Sequence, residues 1–217
     1  MALPSWTRYG VILGDSQILE KGLAEFFATS NGGTNTTAQP GLWDPESNLY
    51  WRDKTYIAQR APNGAKVFWS RGVGWASAAL ALTLTYLPPA HSAFPLLQAR
   101  LSAIAHALLP QQGADGLWRS SLLDAAEYAN PETTGSSCFT FMMATAVKAG
   151  WLDAATFTPV IANAWEGLSK ISLQPSGLVG YCQPADGQPH AATQNQTSDF
   201  CVGQFLLAGS AVYSLVA

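Results

Sequence analysis

The spacing of apolar residues along the chain predicts a protein built almost entirely of α-helices. Apolar side chains recur three or four positions apart over residues 15–29, where Asp15 is expected to cap the helix start, and again over residues 93–109. In the second of these helices the stripe consists of Leu97, Leu101, Ile104 and Leu108. The same periodicity, together with stop signals such as Gly150, predicts further helices over residues 72–87, 134–149, 154–171 and 198–216.

The N-terminal region follows this pattern less well. Residues 1–9 are expected to form the end of a helix already under way, although Pro4 fits poorly there because proline is tolerated only in the first turn. Residues 10–14 are expected to form a turn, and residues 30–40, rich in glycine and threonine, an inserted loop. No charged segment followed by an apolar run marks a signal peptide, so the cytoplasm is favoured, although a longer N-terminus would leave the compartment open.

A unit of about 60 to 70 residues recurs along the chain. Leu49, Leu117 and Leu178 each lie in a short extended segment that leads through a loop to a helix beginning with small residues. Helix pairs in tandem predict an all-α toroid or solenoid, here with about three pairs plus an N-terminal helix, roughly half of a closed toroid. Loops on the same side of every unit would form one functional face, and this face would contain Arg71, Glu132 and Asp199.

Composition excludes several classes of protein. Charged residues make up 12% of the chain and apolar residues 48%, with a net charge of −3 and no basic run, so neither nucleic acid nor an anionic membrane is expected as a partner. The longest apolar run, near residues 75–84, is too short to span a bilayer. Cys138, Cys182 and Cys201 are too few for a disulfide scaffold and lack zinc spacing, so they are expected to be small buried apolar residues, and no metal or other cofactor is predicted.

The segment 67–75 carries the strongest chemical signal, because it combines an arginine with two tryptophans at the start of a helix. A helix start favours anions, so Arg71 is not there to complement the helix dipole. Its guanidinium fits the two oxygens of a carboxylate, and Trp69 and Trp75 could supply flat apolar faces beside it. The carboxylate could belong to an acidic sugar. It could equally belong to an internal Asp or Glu, with both tryptophans in the core.

Four segments resemble the unsaturated glycuronyl and rhamnogalacturonyl hydrolases of glycoside hydrolase families 88 and 105. Residues 68–75 (FWSRGVGW) are similar to the FWSRGNGW segment of those enzymes, and residues 131–136 (PETTGS) to their PETSGS segment. Residues 116–124 (GLWRSSLLD) and the closing segment from Asp199 to Ser210 resemble two further family segments, in the same order. The resemblance therefore spans most of the chain.

The resemblance implies an (α/α)6 barrel that acts on the 4,5-unsaturated uronic acid that lyases leave at a non-reducing end. In that chemistry an aspartic acid protonates the vinyl ether, water adds, and the resulting hemiketal collapses to free the sugar, with no metal. Arg71 would hold the substrate carboxylate, and Trp75 and Trp69 would line the sugar site. Glu132 is a further candidate for substrate binding, although its place at a helix start also suits an acid in the first turn of the helix or a partner for Arg71.

The sequence departs from the family pattern in three places. The family aspartate would fall just before Met1, so residues 1–217 are expected to be the C-terminal half of the barrel, as one domain, without the general acid. Arg52 or Asp53 stands where many members have a histidine, and Val73 replaces an asparagine. Glu132 and Asp199 are expected to be acids at helix starts, and Asp44, Asp53 and Asp124 to be turn residues, so none is expected to replace the acid.

Three hypotheses follow. The first is a hydrolase whose residues 1–217 are inactive alone. The second is a non-catalytic module that binds acidic oligosaccharides through Arg71 and the tryptophans. The third is a chain that needs a second copy or another fragment to cover apolar helix faces at the open end of its row.

Overall fold

The computed structural model describes residues 2–32, 40–185 and 189–217. Seven α-helices lie within these residues, together with a two-stranded antiparallel hairpin. The helices are α1 Leu3–Leu13, α2 Ser16–Asn31, α3 Ser70–Tyr86, α4 Phe94–Leu108, α5 Thr133–Lys148, α6 Ala154–Gly167 and α7 Asp199–Val216. Strand β1 is Trp43–Asp44 and strand β2 is Leu49–Tyr50. Short helical turns occur at Lys54–Tyr56 and Leu109–Gln111, and a π-helical turn, Leu168–Ser172, extends α6.

The helices form two layers. In the inner layer α1 packs on α3, α3 on α5 and α5 on α7, while α2, α4 and α6 each pack on the outside of the helix that precedes them. The predicted all-α architecture of helix pairs is therefore confirmed. Three pairs and one further helix are present in the described residues, and the further helix is α7, because α1 and α2 pack on each other as a pair.

Helix ends follow from local chemistry. The Asp15 carboxylate accepts hydrogen bonds from the backbone N–H groups of Gln17 and Ile18, at 2.9 and 3.2 Å, and so caps α2 as predicted. Helix α1 differs from the prediction, because it runs through residues 10–13 and ends at Gly14, whose φ is +64°. Pro4 lies in its first turn and is accommodated there. Most of the predicted loop at 30–40 lies outside the described residues.

Helices α3 and α5 approach each other closely through glycine. A Cβ atom on Gly135 would lie 2.8 Å from the backbone carbon of Ser70, and one on Gly74 would lie 2.9 Å from Cβ of Cys138. Neither contact is possible for a larger residue without a shift of the helices. The small residues at the predicted helix starts therefore bring the N-terminal ends of α3 and α5 together.

The expectation for the cysteines is wrong for two of the three. Cys182 and Cys201 form a disulfide bond, which ties the segment before α7 to the first turn of that helix. Cys138 is the free and fully buried thiol, as predicted for all three.

The expectation from sequence concerned only the apolar run near residues 75–84 as a possible membrane span, whereas among the described residues α7 is the helix that meets the criterion of length and composition. By length and composition α7 could cross a membrane, since it has 18 residues with a mean hydropathy of 1.4, of which 22% are buried. Inner helices of soluble proteins meet the same criterion, so these values alone assign α7 no membrane role.

Candidate functional site

The N-terminal ends of α3, α5 and α7 meet at one face of the helix layer. The hydroxyl of Ser70, the first residue of α3, donates a 3.2 Å hydrogen bond to Glu132, the residue before α5. At the start of α7, the Phe200 ring lies beside Arg71 of α3. The predicted common face of Arg71, Glu132 and Asp199 is therefore present.

Backbone hydrogen bonds between the connecting segments hold this face together. The N–H of Ser70 donates to the carbonyl of Ser120, and the N–H of Leu122 donates to the carbonyl of Phe68, both at 2.9 Å. The N–H of Thr133 donates to the carbonyl of Tyr181 at 3.0 Å, which joins the start of α5 to the segment before α7. Because these segments pair with one another, the side chains at the helix starts are fixed on a common scaffold.

Arg71 is the central charged group of the site. Its side chain is 2% exposed, and its guanidinium carbon lies 4.6 Å from the ring centre of Trp69 and 4.8 Å from that of Phe200. Nη1 donates to the carbonyl of Gln183 at 2.8 Å, and Nη2 donates to the carbonyl of Pro184 at 2.6 Å. A buried cation requires such partners, so ring faces and carbonyl groups together stabilise the charge.

The guanidinium groups of two arginines lie near the ring of Trp69. Its indole N–H donates a 2.6 Å hydrogen bond to the side-chain oxygen of Gln183, which fixes the ring. The guanidinium carbon of Arg52 lies 5.9 Å from the same ring centre, and the Arg52 side chain is 35% exposed and forms an ion pair with Asp53. Two guanidinium groups therefore lie near one aromatic ring at the edge of the site, and Asp53 offsets the charge of Arg52.

Trp75 lies one turn further along α3. It is half-buried, and its ring centre is 6.4 Å from that of Phe200. Trp75 therefore belongs to the aromatic cluster through Phe200, while Trp69 contacts Arg71 directly. The roles of both tryptophans in binding a sugar stay predictions.

Glu132 has the contacts of a helix cap. Its side chain is fully buried, and its two oxygens accept hydrogen bonds from the backbone N–H groups of Thr134 and Gly135 at 3.1 and 2.6 Å, in addition to the Ser70 hydroxyl. These contacts satisfy N–H groups at the start of α5 that otherwise lack partners. The sequence predicted an acid in the first turn, but Glu132 lies one residue before α5 and caps it. A direct role in substrate binding stays a prediction.

The other candidate carboxylates hold turns and helix starts. Asp53 accepts a hydrogen bond from the Thr55 hydroxyl, the main cause of its lowered pKa, and Arg52 lowers that pKa further. Burial alone would raise the pKa of Asp44, but contacts with Lys66 and Ser47 outweigh burial and the pKa is lowered.

Asp124 and Asp199 complete this group. Asp124 accepts a 3.1 Å hydrogen bond from the backbone N–H of Asn63, and Asp199 is exposed in the first turn of α7. The sequence predicted the place of Asp199 in the first turn of α7, whereas for Asp124 it predicted a turn residue and not a buried side chain bonded to a distant segment. No cluster of metal-ligating side chains occurs in the parts of the chain that the structure describes.

Sequence reasoning missed two important members of the site, Phe200 and Gln183. Phe200 directly follows Asp199 in the last motif, so its place at a helix start was a usable signal. Gln183 lies in a segment without periodicity, and nothing in the sequence indicates that its carbonyl and its side chain bind Arg71 and Trp69. Arg52 was named only as a departure from a family pattern, yet it is the second cation at Trp69.

The chain is similar to several known proteins. The model of the family described as Glycosyl Hydrolase Family 88 matches residues 1–216. The unsaturated 3S-rhamnoglycuronyl hydrolase of Formosa agariphila is 34% identical over 180 residues, which make up 80% of this chain and 48% of that protein. The chain spans about half the length of the curated relatives it matches.

Two solved structures share the fold. A glycosyl hydrolase family 88 protein from Bacteroides vulgatus superimposes with a TM-score of 0.85 at 29% identity, over 99% of this chain and 60% of that one. A protein described as a polysaccharide lyase gives the same TM-score and coverage at 33% identity. The predicted fold class, all-α of the (α/α)6-barrel type, is thereby confirmed.

Proposed function

Because the chain belongs to glycosyl hydrolase family 88, we propose that it forms part of an enzyme that removes a 4,5-unsaturated uronic acid from the non-reducing end of oligosaccharides. The observation that carries the proposal is the Arg71 guanidinium close to the rings of both Trp69 and Phe200, with Arg52 near Trp69. A sugar with a carboxylate and an apolar ring face matches a site made of cations and aromatic rings.

In the proposed reaction the C4–C5 double bond, which is part of a vinyl ether, takes a proton at C4. Water then adds at C5, which bears the ring oxygen, and gives a hemiketal. The ring opens at C5, and the hemiacetal left at C1 releases the next sugar. The charges of Arg71 and Arg52 would hold the carboxylate on C5 and so position the double bond for protonation.

The second part of the proposal concerns the proton donor. We propose that none of the described carboxylates in residues 1–217 is this donor. A general acid must reach the reacting carbon and hold a proton near neutral pH. Glu132 uses both oxygens as a buried cap, and contacts with Thr55 and Arg52 lower the pKa of Asp53. We therefore expect residues 1–217 alone to bind the substrate without turning it over.

The direction of an ultraviolet absorbance change identifies the reaction class. The conjugated double bond of an unsaturated uronyl disaccharide absorbs, so a hydrolase lowers the absorbance as it consumes the bond. A lyase, the activity named for one structural neighbour, raises the absorbance when it cleaves a saturated uronic acid polymer. The assay uses the full product of the natural gene. A fall in absorbance with the disaccharide supports the proposal. A rise in absorbance with the polymer, or calorimetric binding of the disaccharide with no absorbance change, contradicts it.

The location of the acid is tested by the same assay. Residues 1–217 alone should leave the absorbance of the unsaturated disaccharide unchanged. Any turnover by these residues would overturn this part of the proposal, and Asp53→Asn and Asp199→Asn would then test whether either carboxylate is the proton donor.

The disulfide bond is an indication of the cellular compartment in which the protein resides. Disulfides persist in oxidising environments and are rare in the cytosol. The Cys182–Cys201 bond therefore supports an oxidising compartment, in place of the cytoplasmic location that the sequence favoured. Fractionation of cells that express the natural gene, followed by thiol labelling of each fraction, would test this part of the proposal.

A further inference from the structure

The Cys182–Cys201 disulfide joins two parts of the chain that contact Arg71. Arg71, Trp69, Gln183 and Phe200 are called the Arg71 cluster below. Both cysteines are buried, with 1% and 0% exposure, and their Cα atoms are 6.0 Å apart. Gln183, the residue after Cys182, accepts a hydrogen bond from Arg71 through its carbonyl and one from Trp69 through its side chain. Phe200, the residue before Cys201, places its ring against the guanidinium of Arg71.

Among the described residues, no hydrogen bond joins Cys182 or its immediate neighbours in the chain to α7, although the start of α5 holds this segment through the bond from the Thr133 N–H to the Tyr181 carbonyl. Its backbone bonds to its own continuation, through the N–H of Tyr181 to the carbonyl of Thr193 and the N–H of Cys182 to the carbonyl of Gln196. Gln183 also donates to the carbonyl of His190. These last three bonds join residues within one connecting segment, whereas the disulfide joins that segment covalently to the first turn of α7.

We infer that the Cys182–Cys201 disulfide is a positioning element of the anion site, which holds the Gln183 carbonyl and the Phe200 ring at a fixed separation around Arg71. The identity of the ligand rests on the proposed function. The claim that the disulfide keeps Gln183 and Phe200 in place around Arg71 does not depend on that function. Without the crosslink, Gln183 and Phe200 belong to separate elements and Arg71 can leave the geometry in which both contact it.

Reduction is a second way, besides mutation, to break the bond; because both cysteines are buried, thiol titration must first show that the bond has been reduced. Dithiothreitol supplies two electrons and two protons to the sulfur pair, which breaks the S–S bond and leaves two thiols, while the reagent closes to its own cyclic disulfide. Cys138 is a suitable internal control, because burial raises its pKa far above that of an ordinary thiol and its Sγ contacts the side chain of Gln204. It is therefore a poor partner for thiol–disulfide exchange.

The first test measures hydrogen exchange at indole N–H groups by nuclear magnetic resonance, and it needs no ligand. The Trp69 indole donates to Gln183, whereas the Trp118 indole, also buried, donates to the carbonyl of Leu108 at 2.9 Å, remote in sequence from the disulfide. In the Cys182→Ala/Cys201→Ala variant, and in the reduced wild type, exchange at Trp69 should accelerate roughly tenfold or more while Trp118 is unchanged. Cys138→Ala should change neither group.

An unchanged Trp69 rate in a protein that keeps its Trp118 protection would overturn the inference. Equal acceleration of both indoles would also overturn it, because that result reports a general loss of stability. Reduction of wild type provides the test if the double variant fails to fold.

The second test measures coupling to Arg71 with an unsaturated uronyl disaccharide as the probe, by calorimetry. Removal of the disulfide should raise the dissociation constant roughly tenfold, and it should have no further effect when Arg71→Met is already present. Additive effects would show that the disulfide acts apart from Arg71 and would overturn the inference. If wild type binds no probe, the proposed function fails, while the indole measurement still decides whether the disulfide orders the cluster.

Discussion

Helices α5 and α7 lie side by side in the same layer, yet their environments are opposite. Helix α5 buries thirteen of its sixteen residues, while α7 buries only three of its eighteen, Cys201, Phe205 and Ala208. Helix α5 has α3, α6 and α7 as neighbours, whereas α7 packs chiefly on α5. The buried residues of α7 form a single stripe, and its other apolar residues, such as Leu206 and Tyr213, are exposed by 63% and 74%.

The comparison separates two kinds of sequence pattern. Helix α5 is rich in serine, threonine and glycine, which looks unlike a core helix, but small residues are what allow helices on both sides to approach it. Helix α7 is the more apolar helix and the less buried one. Helix α1, at the other end of the layer, likewise exposes Tyr9, Ile12 and Leu13. In the two helices at the ends of the described layer, α1 and α7, an apolar sequence therefore does not mean that the side chains are buried.

The largest expected effect is at the buried cap of α5. Replacing Glu132 by alanine leaves two backbone N–H groups and the Ser70 hydroxyl without their acceptor in a fully buried place. We expect a loss of about 3 kcal/mol in the free energy of unfolding, measured by urea denaturation. Asp15→Ala is the matched control at the half-buried cap of α2 and should cost about 1 kcal/mol. Equal losses in the two variants would show that burial does not strengthen the cap.

Glycines in the two helices should respond to alanine with opposite signs. A Cβ atom on Gly135 would lie 2.8 Å from the Ser70 backbone, so Gly135→Ala should destabilise the protein by about 2 kcal/mol. A Cβ atom on Gly203 of α7 would meet nothing within 4 Å, so Gly203→Ala should stabilise the helix by about 0.5–1 kcal/mol through its higher helix propensity. Thermal unfolding of both variants checks the prediction, and a destabilised Gly203→Ala protein would place an unrecognised neighbour against α7.

The smallest effect on stability is expected on the exposed face of α7. Leu206→Gln should change the free energy of unfolding by less than about 0.5 kcal/mol, whereas Phe205→Ala, one residue away and stacked on Trp165, should cost about 3 kcal/mol. If the apolar faces at the ends of the layer drive association of residues 1–217, light scattering should show a concentration-dependent increase in mass that Leu206→Gln weakens. A wild-type chain that stays monomeric at every concentration would contradict this.

The sequence predicted the regular parts of the fold well. Helices α2 to α7 follow from apolar stripes and capping residues such as Asp15, and the recurring small residues at helix starts indicated the face where α3, α5 and α7 begin. The extent of α1 was missed, because Gly10 was interpreted as a turn although it lies at a close helix crossing, where a Cβ atom would meet the backbone of Leu19 at 2.9 Å.

The candidate site was predictable only in part, since its partners come from irregular segments. Arg71 and Trp69 were identified by residue type and spacing. The carbonyl groups of Gln183 and Pro184 that bind Arg71 were not, because any residue supplies a carbonyl and no side-chain pattern marks it. The disulfide was missed for a similar reason, since its two cysteines are brought together by the path of the segment before α7.

The most direct test of the central claim, that Arg71 with its aromatic rings binds the carboxylate of the substrate, compares an unsaturated uronyl disaccharide with its methyl ester. Calorimetry would give both dissociation constants for wild type, Arg71→Met and Arg100→Met. Arg100 is the matched control, because its guanidinium also stacks on a tryptophan, Trp43 at 4.1 Å, but outside the candidate site. We expect wild type and Arg100→Met to bind the acid at least roughly tenfold more tightly than the ester, and Arg71→Met to lose that preference. Retention of the preference in Arg71→Met would contradict the account.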